Sequence, residues 1–392
     1  MHLPIDSMAV LSRPAGGLRT AVLADLLGDD LAAALARSRR LRVPRAEFVR
    51  PYARSEMSPE EIGRALNVRA VALCTVAAAG PCVDVAVEVI DVVRERLVAQ
   101  DKFLVSSREV PALERAILRI IPGAGRMPAT SAPLAEILEA RVARAAGDPE
   151  MALEILGDAA PLETAATIIE GRLCARVGEA RRALLSVRRG VGALQLLARL
   201  LARFDADWHG AEVALREALK LDPGSPSTHS MLGDLLVATR RRDAAAPHYR
   251  LVAELMPVDA RAQIAGAFAD YFGPFPIDAV ARLAALSEAN DWVVRALIAG
   301  GDVVHARAAA ATLFSRALVA AFTGHEFVIA PFTTSERALL FSAAGAVAQA
   351  IDCLEIAAAE HADDVIFAAV EPLFAPLQSD VRFSVLLRRL GI

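Results

Sequence analysis

The sequence predicts an α+β protein, with a small amino-terminal mixed α/β domain followed by an all-α solenoid of helical pairs. Three observations predict it. Strand-like alternation is confined to the first 123 residues. From Pro133 onward the apolar residues read as helices and turns, following the three-to-four step of a helix. Through the second half, alanines and prolines recur at a spacing of 34 residues. The run Gly123-Ala124-Gly125-Arg126-Met127-Pro128 is dense in chain-breaking residues and separates the two patterns. The expected division is an α/β domain at 1–123, a linker at 124–132 and a helical repeat region at 133–392.

Ser7–Leu11 (SMAVL) reads as a short buried strand. In residues 18–38, Val22, Leu26, Leu27, Leu31 and Leu35 keep helical spacing and predict an amphipathic helix. Arg42-Val43 predicts a brief strand. Ser58-Pro59-Glu60-Glu61 carries a helix start: Ser58 as cap, Pro59 in the first turn and Glu61 completing a capping box. That helix is expected to end near Asn67. Residues 69–78 predict a strand, and Gly80-Pro81 a turn. In 82–92, Val83, Val85, Val87 and Val89 take one face while Asp84, Glu88 and Ile90 take the other, as in a half-buried strand. Residues 95–105 are its expected partner, and 108–121 a closing helix.

Ala211, Ala245 and Ala279 stand 34 residues apart, as do Pro223 and Pro257. This is the tetratricopeptide period, a helix–turn–helix unit whose apolar faces are buried by stacking. Residues 226–259 fit it best. Gly233 falls where a Cβ would hold the two helices apart, Ala245 is the small residue of the second helix, and Tyr249 fills the large position. Ala211, Leu215 and Ala218 take these roles in the preceding unit. The unit at 260–293 keeps Ala279 and Leu283 but is weaker. A further pair is expected near 335–360, with Gly345, Ala350, Leu354 and Ala357 in register.

The composition bounds the function. Of 392 residues, 55% are hydrophobic, which is ample for packed cores. Mean hydropathy is +0.39, but much of it is alanine, and no window of about 20 residues lacks charge, so no membrane span is expected. The opening Met1-His2-Leu3-Pro4-Ile5-Asp6 lacks the pattern of a signal peptide, which predicts a cytoplasmic protein. Net charge is −4, so no global attraction to nucleic acid is expected. All but two of the 43 basic residues are arginines, the lysines being Lys102 and Lys220. Cys74, Cys82, Cys174 and Cys353 lack metal-ligand spacing and are expected as reduced, buried thiols, Cys74 and Cys82 being the pair that a hairpin could set face to face.

The first half resembles the TolB-like amino-terminal domain of bacterial regulators. The matching segments are Ser7–Leu11, Ala34–Arg37, Leu41–Val43, Ile62–Val68 and Val85–Asp91, in the family's order. Asp207-Trp208, Ala211-Glu212 and Ala218–Pro223 resemble the repeat region that accompanies that domain, as does the tail from Pro372 to Gly391. The resemblance implies an α/β domain and tetratricopeptide-type repeats. In that family they usually follow an effector: a winged-helix DNA-binding domain, a class III nucleotide cyclase or a kinase. Here the α/β domain is expected within ten residues of Met1, without the effector. The loop Ser12–Gly17 also lacks the family's aromatic and Asn-x-Ser.

No catalytic, cofactor or metal motif is found, so the chain is read as non-enzymatic, with no cofactor. Gly123-Ala124-Gly125 reads as a linker, and Asp84 and Asp91 as a solvated strand face and a strand end. His209, His229 and His248 read as surface or inter-helix packing, and Arg240-Arg241-Arg242 as a solvated turn. Arg37, Arg39, Arg40, Arg42 and Arg45 read as a helix stop, with an anion patch as the alternative. The best functional candidate is the groove lined by the first helices of a solenoid. The family's repeat positions place Arg203, Phe204, Ser230, Asp234, Arg261, Phe268 and Tyr271 there. Aromatic and arginine side chains suit capture of a protein or peptide; the alternative is a groove filled by the chain's own last helices. The expected function is thus a protein-interaction scaffold of a bacterial signalling or transcriptional system. Its partner would be a protein or peptide, a separately encoded effector among the candidates; no nucleic acid and no membrane insertion are expected, and a homo-oligomer is allowed. The alternatives are a regulator touching DNA through the arginine cluster and a degenerate cyclase relative.

Overall fold

The computed structural model describes residues 5–37, 41–79, 82–105, 110–121, 134–157, 160–187 and 190–392. The chain forms two compact units, residues 1–171 and 172–392. It is an α+β fold with a helical carboxy-terminal region.

The first unit holds a four-stranded sheet, with β1 (Met8–Ala15), β2 (Ala70–Ala79), β3 (Cys82–Asp91) and β4 (Arg96–Val105) in that order. β1 runs parallel to β2, and the other neighbours are antiparallel. The alternation in β3 holds: Val83, Val85, Val87 and Val89 are buried, on one face. β1 continues past the expected Leu11 through Pro14 to Ala15, because the ladder with β2 extends to Ala15–Ala77. Proline is tolerated there since β1 is an edge strand. Arg42 makes a single parallel bridge to Ser7 instead of a strand.

Helices α1 (Leu18–Ala36), α2 (Ala46–Ala53), α3 (Pro59–Ala65) and α4 (Val110–Ile120) cover the sheet. The capping box at α3 is formed as expected: Ser58 Oγ accepts from the Glu61 amide, and Glu61 accepts from the Ser58 amide. α2 carries no strong sequence signal and contains Pro51. One core joins α1 and α4 to the valine face of β3. A second, smaller core joins α2 and α3 to Ala9, Leu11, Val71 and Leu73.

Three more helices, α5 (Leu134–Ala145), α6 (Pro149–Leu156) and α7 (Pro161–Glu170), complete this unit. Ile137, Leu138, Ala152 and Leu156 share the core of α1. The α/β unit thus includes helices that the sequence reading assigned to the repeats. The expected linker at 124–132 and the Gly80-Pro81 turn lie outside the described residues.

The second unit consists of helices, turns and loops, with no strand among its described residues. It runs α8 (Val177–Ser186), α9 (Val191–Phe204), α10 (Trp208–Leu221), α11 (Pro226–Ala238), α12 (Arg242–Leu255), α13 (Ala260–Gly266), α14 (Phe268–Tyr271), α15 (Val280–Leu283), α16 (Asn290–Ala299), α17 (Val303–Ala309), α18 (Leu313–Phe322), α19 (Thr334–Ala343), α20 (Val347–Ala359) and α21 (Val381–Leu390). The pairs α9–α10, α11–α12 and α19–α20 are helical hairpins. Ala211, Ala245 and Ala279 are each fully buried, as the 34-residue spacing implies. The weak third unit breaks into α13, α14, a 3-10 turn at Pro276–Ala279 and α15, because Gly273, Pro274 and Pro276 interrupt any continuous helix.

Several expectations are corrected. Cys74 is buried, but Cys82 and Cys353 are half-buried and Cys174 is exposed; all four are free. Cys82 pairs in register with Ala79, and Cys74 with Val87, so the two do not face each other. Asp91 ends β3, as expected, and is buried there. It accepts from the Val93 and Arg94 amides and pairs with Arg69, holding the turn after β3. Among the described residues, no helix is long and apolar enough to cross a membrane.

Candidate functional site

The expected groove residues lie on α9, α11, α13 and α14, and the segment between α20 and α21 reaches them. At the end of α9, Arg203 forms an ion pair with Asp363. The backbone carbonyl of Arg203 accepts from His361 Nδ1 at 2.9 Å, and the Phe204 ring lies 4.7 Å from the His361 ring. Arg172 stands 3.9 Å from the same Asp363. One short acidic stretch is therefore held by two guanidinium groups and one aromatic ring.

A buried anchor lies further along that segment. Tyr271 Oη donates to Glu371 Oε1 at 2.6 Å, and Arg295 Nε donates to Tyr271 Oη at 3.1 Å. Arg295 also pairs with Glu371 Oε2 and sits 4.0 Å above the Trp292 ring. Burial opposes the charge on Arg295, but Glu371 and Tyr271 outweigh it, so its pKa is raised. Phe367 stacks on Phe272 at 5.0 Å, and Phe272 belongs to an aromatic group with Phe268 and Trp292.

Asp234 and Tyr249 form a third feature, at the crossing of α11 and α12. Tyr249 Oη donates to Asp234 Oδ1 at 2.7 Å. Burial pushes the Asp234 carboxyl up to about 6, against the hydrogen bond from Tyr249 and the charge of Arg199. Gly233 makes the close approach possible, since a Cβ there would lie 2.7 Å from the Tyr249 ring.

Five of the seven expected residues are thus engaged within the chain. Arg203, Phe204 and Tyr271 are engaged by the segment 361–371, Phe268 packs among aromatics, and Asp234 is bound by Tyr249. Ser230 is half-buried on α11, and Arg261 is exposed at the start of α13. At Arg203, Phe204 and Tyr271 the contacts come from the segment between α20 and α21.

The arginine cluster does not converge on a common point among the described residues. Arg42 donates to the Asn67 carbonyl, Arg45 pairs with Glu47 and lies over Phe48, and Arg37 is exposed after α1. Arg39 and Arg40 lie outside the described residues. Within the arginine turn, Arg241 pairs with Glu212 at 2.8 Å. A cavity of about 20 Å³ between β1, α1 and α2 is lined by Ser12, Gly28, Asp25, Asp29 and Arg50, room for one water.

Sequence reasoning missed Trp292, Arg295 and Glu371. Arg295 and Glu371 are 76 residues apart, and neither carries a motif. It also missed that His229 and His248 meet. The available signal was their placement on the two helices of the best-fitting repeat. No protein-family model matches the chain, and no curated protein matches it significantly.

Proposed function

We propose that the chain is a non-enzymatic interaction module that binds a protein or peptide through its helical unit. It would serve a bacterial cytoplasmic signalling or transcriptional system, with the amino-terminal unit acting as a TolB-like domain in assembly or relay. The observation that carries this reading is the polypeptide already seated at α9: an Asp363 carboxylate on Arg203 and Arg172, beside the His361–Phe204 contact. Arginine and aromatic side chains dominate the energy of polypeptide recognition. An acidic segment with a neighbouring aromatic residue is the partner chemistry that these groups fit.

The test is selection of a displayed peptide library on the full chain carrying Asp363→Ala, which removes the internal carboxylate from Arg203. Acidic–aromatic peptides should be enriched, and their binding should fall at least tenfold when Arg203→Ala is added. A selection that enriches nothing, or peptides indifferent to Arg203, would overturn the reading.

A further inference from the structure

His229 and His248 face each other across the α11–α12 hairpin, with Nδ1 atoms 2.8 Å apart. His229 is buried, and its Nε2 lies 2.9 Å from the Pro223 carbonyl oxygen. A carbonyl oxygen only accepts, so Nε2 of His229 carries a proton. In the neutral ring, Nδ1 is then a lone pair, and it points at His248. His248 must donate from its own Nδ1, so a single proton lies between the two nitrogens.

Neutral imidazole nitrogens that converge are the ligands that borderline transition metals take. A ring whose far nitrogen is fixed by a backbone carbonyl is the usual outer arrangement of such ligands. We propose that His229 and His248 form a binding site for a divalent transition-metal cation such as Zn²⁺, held by the two Nδ1 atoms. On binding, the Nδ1 proton of His248 relocates to its Nε2, so the ring stays neutral and both lone pairs face the metal. Two zinc–nitrogen bonds of about 2.0–2.1 Å at a tetrahedral angle place the nitrogens about 3.3 Å apart. The pair opens by roughly half an ångström, and the half-buried His248 is the ring with room to move.

The groups around the pair set the strength. Arg216 on α10 opposes a cation, although Glu212 pairs with it at 2.6 Å and also with Arg241. Among the described residues, no group of three His, Cys, Asp or Glu side chains gathers as a metal site. The remaining coordination positions therefore go to water.

The test is calorimetric titration of the full chain with ZnCl2, alongside proton spectra of the imidazoles with Ni²⁺ as a broadening probe. One equivalent of zinc should bind at a site that His248→Ala weakens at least tenfold. Arg216→Ala should tighten the same site severalfold, and Ni²⁺ should broaden the His229 and His248 signals first. Circular dichroism checks that each variant is folded; His229→Gln, which can still accept from His248, serves if His248→Ala is not. No zinc binding, binding indifferent to both histidine variants, or Ni²⁺ broadening elsewhere would overturn the proposal and leave the pair as a hydrogen bond between helices.

Discussion

The hydroxyl of Tyr271 donates a 2.6 Å hydrogen bond to Glu371, 100 residues further along the chain. Glu371 also takes Arg295 and the Leu373 amide, so both of its oxygens are satisfied. The contact pins the segment before α21 to α14 and α16. A second closure lies at the chain end, where Trp208 Nε1 donates to the Leu390 carbonyl at 2.8 Å. The last helix thus returns to the start of α10.

Glu371→Ala should be severely destabilising. It leaves Arg295 buried without its carboxylate, a loss on the order of 3–5 kcal/mol. Tyr271→Phe removes one hydrogen bond and should cost only about 1–2 kcal/mol. Urea midpoints compare the two, and equal losses would refute the assignment of Glu371 as the charged anchor.

Arg203→Ala should barely change global stability, because its partner Asp363 is 68% exposed and such pairs contribute about 1 kcal/mol or less. Its effect should be local. Amide exchange over residues 361–367 should quicken, while that of α11 stays as it was. Mass spectrometry after deuterium labelling reads this, and unchanged exchange at 361–367 would show that Arg203 does not hold the segment.

Asp234→Asn should remove a pH dependence. The folded carboxyl titrates near 6, above its ordinary 3.8. The folded state therefore binds the proton more tightly, and this group's contribution to stability falls as pH rises from about 4 to about 6. At pH 7 the ionised carboxylate costs on the order of 3 kcal/mol. The asparagine variant keeps an acceptor for Tyr249 and should be more stable at pH 7, with little difference at pH 4. Parallel stability curves for the two proteins would contradict this.

Gly233→Ala should destabilise by about 1–3 kcal/mol, since its Cβ would press into the Tyr249 ring. Gly192→Ala is the control. Nothing lies within 4 Å of that Cβ in α9, and alanine there should be neutral or stabilising by up to about 1 kcal/mol. Thermal melting of the two variants should move in opposite directions or by clearly different amounts.

Much of the local structure was legible because it depends on neighbours in sequence. The valines of β3 and the Ser58–Glu61 capping box could be read directly. So could the close approach at Gly233, because the repeat spacing places Tyr249 opposite it. The helix α2 was not legible: eight residues with a proline inside give too little periodicity. The candidate site was legible in membership more than in state. Arg203, Phe204 and Tyr271 were named, yet what sits on them comes from residues 100 to 160 positions away.

The sequence by itself determined the α+β class, the places of β1–β4 and of α1, α3 and α4 along the chain, and the helical hairpins spaced at 34 residues. Those follow from burial periodicity, which each segment displays on its own. Only the tertiary structure decided that α5–α7 join the first core, that Glu371 chooses Arg295, and that Asp363 closes over Arg203. With 43 basic and 47 acidic residues, pairing rules alone allow many partners. Which pair forms depends on which groups the packed helices bring within a few ångströms of each other.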